Sequence, residues 1–419
     1  MELKRKSIKG MTLALLMLIA AMAGCIGTED ETTDETEEAK PAFLDASDAG
    51  YTYASDVDNH RSLMQDLCDI KTAASDSNWD EAKNIYTNGK NAEKSDGSFR
   101  TLAGFAAASG KNHNYDTFYG QDGAIGAHIT AALDGTGDFE GATDTVRYQG
   151  IAKLTANMGM VGYTIHELNA AVAKADAGNT DNDSGAPHNW DEGWAFFHGP
   201  DEHWSCSPAY TMKKRAADYG TETNGVSNAL AASEQAMVDG LAALQAGDEA
   251  GYDAATETVI KNIIITYSQA TLKYTMKMDS NESAAKYQAE GYAFWKTMEA
   301  YAAPYTDGCY NMQVHKVFMM GDIDASTCDA FMWTQHQGQG DFMCYNTVTH
   351  QVSTDVSNET ECDGYSNATF MDMYGADKIN EILNLKDASK HGTSYDIAPH
   401  LERVWAHYGI TAEDIGTYQ

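Results

Sequence analysis

Asp191-Glu192-Gly193-Trp194-Ala195-Phe196-Phe197 returns as Ala289-Glu290-Gly291-Tyr292-Ala293-Phe294-Trp295, so Glu-Gly-aromatic-Ala-Phe-aromatic occurs twice at an offset of 98 residues. Upstream of each copy lies a second stretch with apolar residues at helical spacing, Met160 to Ala173 with Tyr163 and Val259 to Met276 with Tyr267. Two helical units of similar design therefore follow one another, as a duplication would leave them. Within each unit, Glu192 and Glu290 precede apolar or small residues by three, four and seven positions, which puts both carboxylates on the buried stripe of a helix. A buried carboxylate needs a cation, a metal or good hydrogen-bond donors, because desolvation otherwise costs several kcal/mol. If a pseudo-twofold axis relates the units, the two glutamates approach one another near it and share a cation or a proton.

The rest of the chain extends the helical reading. Only six prolines occur in 419 residues, and Trp79 to Tyr86, Ala124 to Leu133 and Val226 to Leu244 carry helical periodicity. Turn clusters at Asp134 to Gly137, Ala177 to Ala186, Gly220 to Gly225 and Gly247 to Gly251 separate these runs. From Thr306 the character changes, with four cysteines between 309 and 362, a turn-like run Gln337 to Asp341 and a β-leaning stretch Phe342 to Val356. Helical pattern returns at Lys378 to Leu385 and Ile397 to Tyr408. The expected fold is all-α, a duplicated helical bundle with a small disulfide-rich insertion containing a β-hairpin. The body runs over 46–305, the insertion over 306–370, and C-terminal helices over 371–419 pack back on the body.

The N-terminal end reads as an export signal over 1–24. Lys4, Arg5, Lys6 and Lys9 precede an apolar run from Met11 to Ala23, too short to span a bilayer. Met22-Ala23-Gly24-Cys25 resembles the lipobox of secreted lipoproteins, which marks Cys25 for lipidation and the chain for the outer face of the cytoplasmic membrane, at the cell surface or in the periplasm. An acidic tether over 25–45 follows, too polar to fold. With Cys25 set aside, Cys68, Cys206, Cys309, Cys328, Cys344 and Cys362 remain, an even number that argues for disulfides in an oxidising compartment. Cys344 and Cys362 frame the β-leaning segment and are the first pair expected. Sequons at Asn182, Asn281, Asn358 and Asn367 fit exposed loops. Twenty-eight basic against 62 acidic residues give a net charge of -34, which argues against nucleic acid or anionic lipid as a partner.

Tyr163, His166, Glu167 and Ala170 share one helical stripe, with Tyr267 as the counterpart of Tyr163. Together with Glu192 and Glu290 they make an oxygen-rich set that suits ferric iron better than copper or zinc. His188 stands three and four residues before Asp191 and Glu192, and joins that cluster if the helix starts early. The same residues also suit a hydrogen-bonded polar core, with Asp191 as an N-cap and His166 a core histidine. No HExxH, Walker, GxSxG or Gly-rich dinucleotide turn occurs, which leaves the common hydrolase and nucleotide chemistries without a signature. The 19 methionines fit irregular helical cores, and the acidic runs Asp322 to Asp324 and Asp355 to Glu361 lack calcium-loop spacing.

Tyr163 to Ala173, Gly185 to Phe196, Ser207-Pro208, Lys214-Arg215, Ile263 to Tyr274 and Glu290 to Trp295 resemble the algal iron-assimilating proteins, also called low-iron-inducible periplasmic proteins, of the phytotransferrin group. The resemblance covers roughly residues 75 to 305 and implies a surface protein that captures ferric iron with carbonate as synergistic anion. It names Arg215 for carbonate, with Arg147 and Arg100 behind it, since a guanidinium offers an oxyanion two parallel hydrogen bonds. An iron permease would be the uptake partner. A weaker likeness, to imelysin-type helical proteins, lacks their Gly-x-His-x-x-Glu motif. Two other classes stay open: a metal-dependent enzyme of ferroxidase or metallopeptidase type on the same scaffold, and a structural surface lipoprotein.

Overall fold

The computed structural model describes residues 47–108, 114–311, 316–321, 328, 331–335, 342–347, 352–353, 358–365 and 369–419. The leader, Cys25, the tether, the runs 322–324, 337–341 and 355–357 and the sequon at Asn367 lie outside them.

Helices dominate the described chain. In order they are α1 (Asp58–Ser75), α2 (Trp79–Asn88), α3 (Leu102–Ala106), α4 (Asn114–Tyr119), α5 (Ala124–Asp134), α6 (Asp144–Lys153), α7 (Met160–Asp176), α8 (Ala186–Phe197), α9 (Pro208–Tyr219), α10 (Asn228–Ala246), α11 (Glu249–Met276) and α12 (Ala284–Ala302). A wide π-turn, Leu154–Gly159, joins α6 to α7. The sequence chose these ends through ordinary caps. Ser207, Ser227 and Asp248 accept from backbone N–H groups in the first turns of α9, α10 and α11, and Gly220 and Gly247 close α9 and α10 in the left-handed region.

The two echoed units are helical hairpins, α7 with α8 and α11 with α12, and α7 also packs on α11. α11 buries residues on every side because α7, α9, α10 and α12 surround it. Two further helices repeat the arrangement: α1 lies against α8, and α6 lies against α12. Each echoed glutamate is thus faced by a helix from outside its own hairpin. Gly193 explains how closely α8 approaches α7, since a Cβ there would stand 3.1 Å from Leu168 Cδ2.

The cysteine-rich region holds more strand than the single hairpin expected. β1 (Asp307–Asn311) pairs antiparallel with β2 (Lys316–Gly321) and with β6 (Thr369–Met371), while β3 (Phe331–Gln335), β4 (Phe342–Asn346) and β5 (Val352–Ser353) form a second three-stranded antiparallel sheet. Disulfides Cys309–Cys328 and Cys344–Cys362 staple this region, the latter being the pair the sequence favoured. Short helices α13 (Glu359–Tyr365), α14 (Tyr374–Ile382), α15 (Ala398–His407) and α16 (Ala412–Ile415) complete the chain. The last three return to the bundle, where Leu383, Leu401 and Val404 join the core. The third disulfide, Cys68–Cys206, joins α1 to the loop after α8 across 138 residues. Asn182, Asn281 and Asn358 are exposed.

Candidate functional site

α8 begins at Ala186 with Pro187 in its first turn, where a missing N–H does no harm. That early start decides the site. His188 and Glu192 become i, i+4 neighbours, with His188 Nε2 3.2 Å from Glu192 Oε1. Asp191 lies inside the helix, not at an N-cap, and faces the chain that enters α1. It accepts from Tyr51 Oη at 2.6 Å and from the Ser55 amide and hydroxyl at 2.8 and 2.9 Å. Ser55 Oγ also lies 2.9 Å from His188 Nδ1. A hydroxyl that donates to Asp191 accepts at His188, so Nδ1 carries a proton, and the charged ring that contact with Glu192 favours donates to the carboxylate through Nε2–H as well.

The facing helix contributes the second imidazole. His60, in the first turn of α1, is 4% exposed and places Nε2 3.2 Å from the same Glu192 oxygen. From α7, Glu167 hydrogen-bonds Glu192 and accepts from Asn189 Nδ2 at 2.5 Å. Two carboxyl groups in hydrogen-bond contact share a proton. Tyr163, one turn before Glu167, belongs to the aromatic wall: its ring lies 4.8 Å from Phe105, 5.6 Å from Phe196 and 5.7 Å from the His166 ring. Phe105 and Phe196 also flank His60. Arg100 stands within electrostatic reach of His60, and its Nε is buried without a hydrogen-bond partner.

The electrostatics follow from this packing. Burial works to raise Glu192, but His188 and His60 outweigh it and hold the carboxyl down to about 2. Burial pushes His60 down to about 4 against the pull of Glu192, whereas contact with Glu192 raises His188. Burial raises Asp191 to about 6 despite its donors. Burial and the neighbouring Glu167 lift the Tyr163 phenol above its ordinary range. Among the described residues no three His, Cys, Asp or Glu side chains stand at ready metal-coordinating geometry. Protons hold the four groups together: an Nε2–H of each imidazole turns to Glu192, and a further proton lies between the two carboxyl groups.

Glu290 has different company. Its neighbours in electrostatic reach are Lys153, Lys286, Arg215 and Lys273, and none belongs to the Glu192 cluster. Arg215 pairs with Asp218 at 2.8 Å, without hydrogen-bond alignment, and donates to Tyr274 Oη at 3.4 Å. Tyr267 is fully buried and donates to Asn157 Oδ1 at 2.9 Å, while Asn157 Nδ2 donates to Lys153 O at 2.8 Å. Tyr267 therefore holds the π-turn that follows Lys153.

The structure thus gathers Tyr163, His166, Glu167 and Glu192 in one neighbourhood and places Tyr267, Glu290 and Arg215 in another. The approach of Glu192 to Glu290 expected from a twofold is not seen: the first meets the imidazoles of His60 and His188 and the second the ammonium of Lys153, and their closest charged neighbours are not shared. Arg215 faces the Glu290 group, and Arg147 caps α5 by donating to Leu133 O, which leaves Arg100 as the arginine beside the histidine cluster. His60, Ser55 and Asn189 were not readable as site residues. No local motif marks them; only the contact of α1 with α8 brings the first two in.

No curated protein matches the chain significantly, and no solved structure does. Among the described residues no helix is long and apolar enough to cross a membrane. A family described as Fea1, low iron-inducible periplasmic protein, matches residues 38–323, which include both glutamate hairpins and both facing helices. The chain belongs to the low iron-inducible periplasmic protein family.

Proposed function

We propose that this protein captures ferric iron outside the cytoplasm and holds it for uptake, without turning it over. The reading rests on one observation: two carboxylates and two imidazoles, from three helices, meet at Glu192 beneath an aromatic wall. Glu192, Glu167, His60 and His188 are the proposed protein ligands, with Tyr163 as a phenolate donor and His166 at the edge of the site. The set fits ferric iron, for which oxygen donors supplemented by imidazole are suitable. Once the shared protons leave, the carboxylates and imidazoles present lone pairs to a hard cation. Ser55 and Asp191 keep His188 aimed. Carbonate, the anion the resemblance implies, falls to Arg100, whose buried Nε lacks a partner, in place of Arg215. The lipid on Cys25 and the acidic tether would keep loaded protein beside a permease, and stable anchoring takes more than one acyl chain.

The test is ferric titration of purified protein with and without bicarbonate, followed by elemental analysis. Binding of one equivalent with a visible charge-transfer band, lost in E192A and H188A, is expected. Wild-type affinity in both variants sinks the reading, and steady dioxygen consumption with ferrous iron replaces it with a ferroxidase.

A further inference from the structure

In a chain that carries 28 basic residues against 62 acidic ones, Lys71, Lys153, Lys214, Arg215, Lys273 and Lys286 all lie within electrostatic reach of Lys153 or Glu290. They come from five helices, α1, α6, α9, α11 and α12, so the convergence is a product of the fold. Surface solubility does not explain it, because the innermost members are covered: Arg215 is 4% exposed and Glu290 6%.

The innermost groups are also incompletely partnered. Arg215 engages Asp218 and Tyr274 through its Nη atoms, yet its buried Nε has no hydrogen-bond partner. Among the described residues the Lys153 ammonium makes no hydrogen bond or ion pair within 4.0 Å; it stands 6.0 Å from the centroid of the Phe294 ring. Arg215 stands 5.9 Å from the same ring, itself stacked on Tyr274 at 5.5 Å. Glu290 makes no direct contact with either cation, although they are its electrostatic neighbours. Burial moves Lys153 down to about 8 and raises Glu290, in each case against the pull of the opposite charge nearby. Two cations with unused donors and one carboxylate thus gather around the turn of α12 that carries Glu290 and Phe294.

We propose that Lys153, Arg215 and Glu290 form a second binding site, independent of the Glu192 cluster, for a small oxyanion that retains a hydroxyl, of the class of hydrogen phosphate. Lys153 and the Arg215 Nε–H take the anionic oxygens, and the Glu290 carboxylate accepts the ligand's O–H. Glu290 sets the selectivity: a fully deprotonated oxyanion such as sulfate has no proton to offer it and meets a bare buried carboxylate instead. The Lys153 end is held by Tyr267 through Asn157, which gives that buried phenol a positioning role.

The experiment is calorimetry on iron-free, full-length protein with inorganic phosphate, sulfate and bicarbonate at neutral pH. Phosphate should bind at least about tenfold more tightly than sulfate. K153M should weaken phosphate about tenfold or more, and E290Q should admit sulfate and erase the preference. Circular dichroism checks that each variant is folded; should E290Q fail to fold, K153M and the wild-type anion preference decide. Bicarbonate should bind more weakly than phosphate, and tighter bicarbonate binding overturns the assignment. Equal affinity for sulfate and phosphate in the wild type overturns the proposal, as does phosphate binding undiminished in K153M, or no binding of any of the three. Ferric binding by K153M is expected at the wild-type level, so failure here leaves the iron reading standing, and failure of iron binding leaves this one standing.

Discussion

His60 on α1 and Glu192 on α8 meet with Nε2 3.2 Å from Oε1, both nearly excluded from solvent. The contact ties a helix from the start of the described chain to the first echoed motif, and it makes the site sensitive to protons. His60 is held neutral by burial, down to about 4 from an ordinary 6.5. As pH falls through 6.5 the unfolded chain takes up a proton that the folded chain refuses until about 4, so this residue removes stability across that window. The expected loss is about 3 kcal/mol. Urea unfolding of wild type and H60Q at pH 7 and pH 4.5 checks it, with the variant showing the flatter profile.

Ferric affinity should fall with pH in the same direction for a different reason. His188 is raised by Glu192 and regains its proton as pH falls, and the proton between the two carboxyl groups competes with the metal as well. Iron binding by titration at pH 7.5, 6.5 and 5.5 should weaken at each step.

Ser55→Ala removes the hydroxyl between Asp191 and His188 without touching a proposed ligand. About a 10-fold to 100-fold loss in ferric affinity is expected, the usual effect of releasing a ligand's orienting partner. Thermal unfolding should show a loss of about 1–3 kcal/mol, because Asp191 is left buried with one donor fewer.

Tyr163→Phe and Tyr267→Phe should separate the two phenols. The first is expected to abolish the visible band on adding ferric iron. The second should leave the band intact and reduce stability by about 1 kcal/mol, the worth of the Asn157 hydrogen bond.

Replacing Cys68 and Cys206 by alanine releases α1 from the loop after α8. The crosslink spans 138 residues, and about 2–5 kcal/mol of stability is expected to go with it. Ferric affinity should fall too, since His60 and Glu192 ride the two joined segments; calorimetry and thermal unfolding of the same double variant read both effects.

Much of the fold was legible because helix formation is written locally. The spacing of apolar residues predicted α2, α5, α7, α10 and α15 nearly to their ends, and the Gly clusters marked the caps. The repeated Glu-Gly-aromatic motif located both glutamate hairpins, with Gly193 explaining why α8 sits close enough to α7 for Glu167 to reach Glu192. The second three-stranded sheet was missed because short strands among cysteines carry little periodicity. The choice of Arg215 for the anion beside iron rested on residue type, and type does not say which glutamate an arginine faces.

By itself the sequence determined that the chain is a helical bundle, that a motif is used twice and that both copies bury a carboxylate, since periodicity and hydropathy act between neighbours along the chain. Only the tertiary structure decided what each carboxylate meets. α1 brings His60 to Glu192 and α6 brings Lys153 to Glu290, and because charge acts through space at a few ångströms, two like motifs acquire unlike chemistry from the helices packed in front of them.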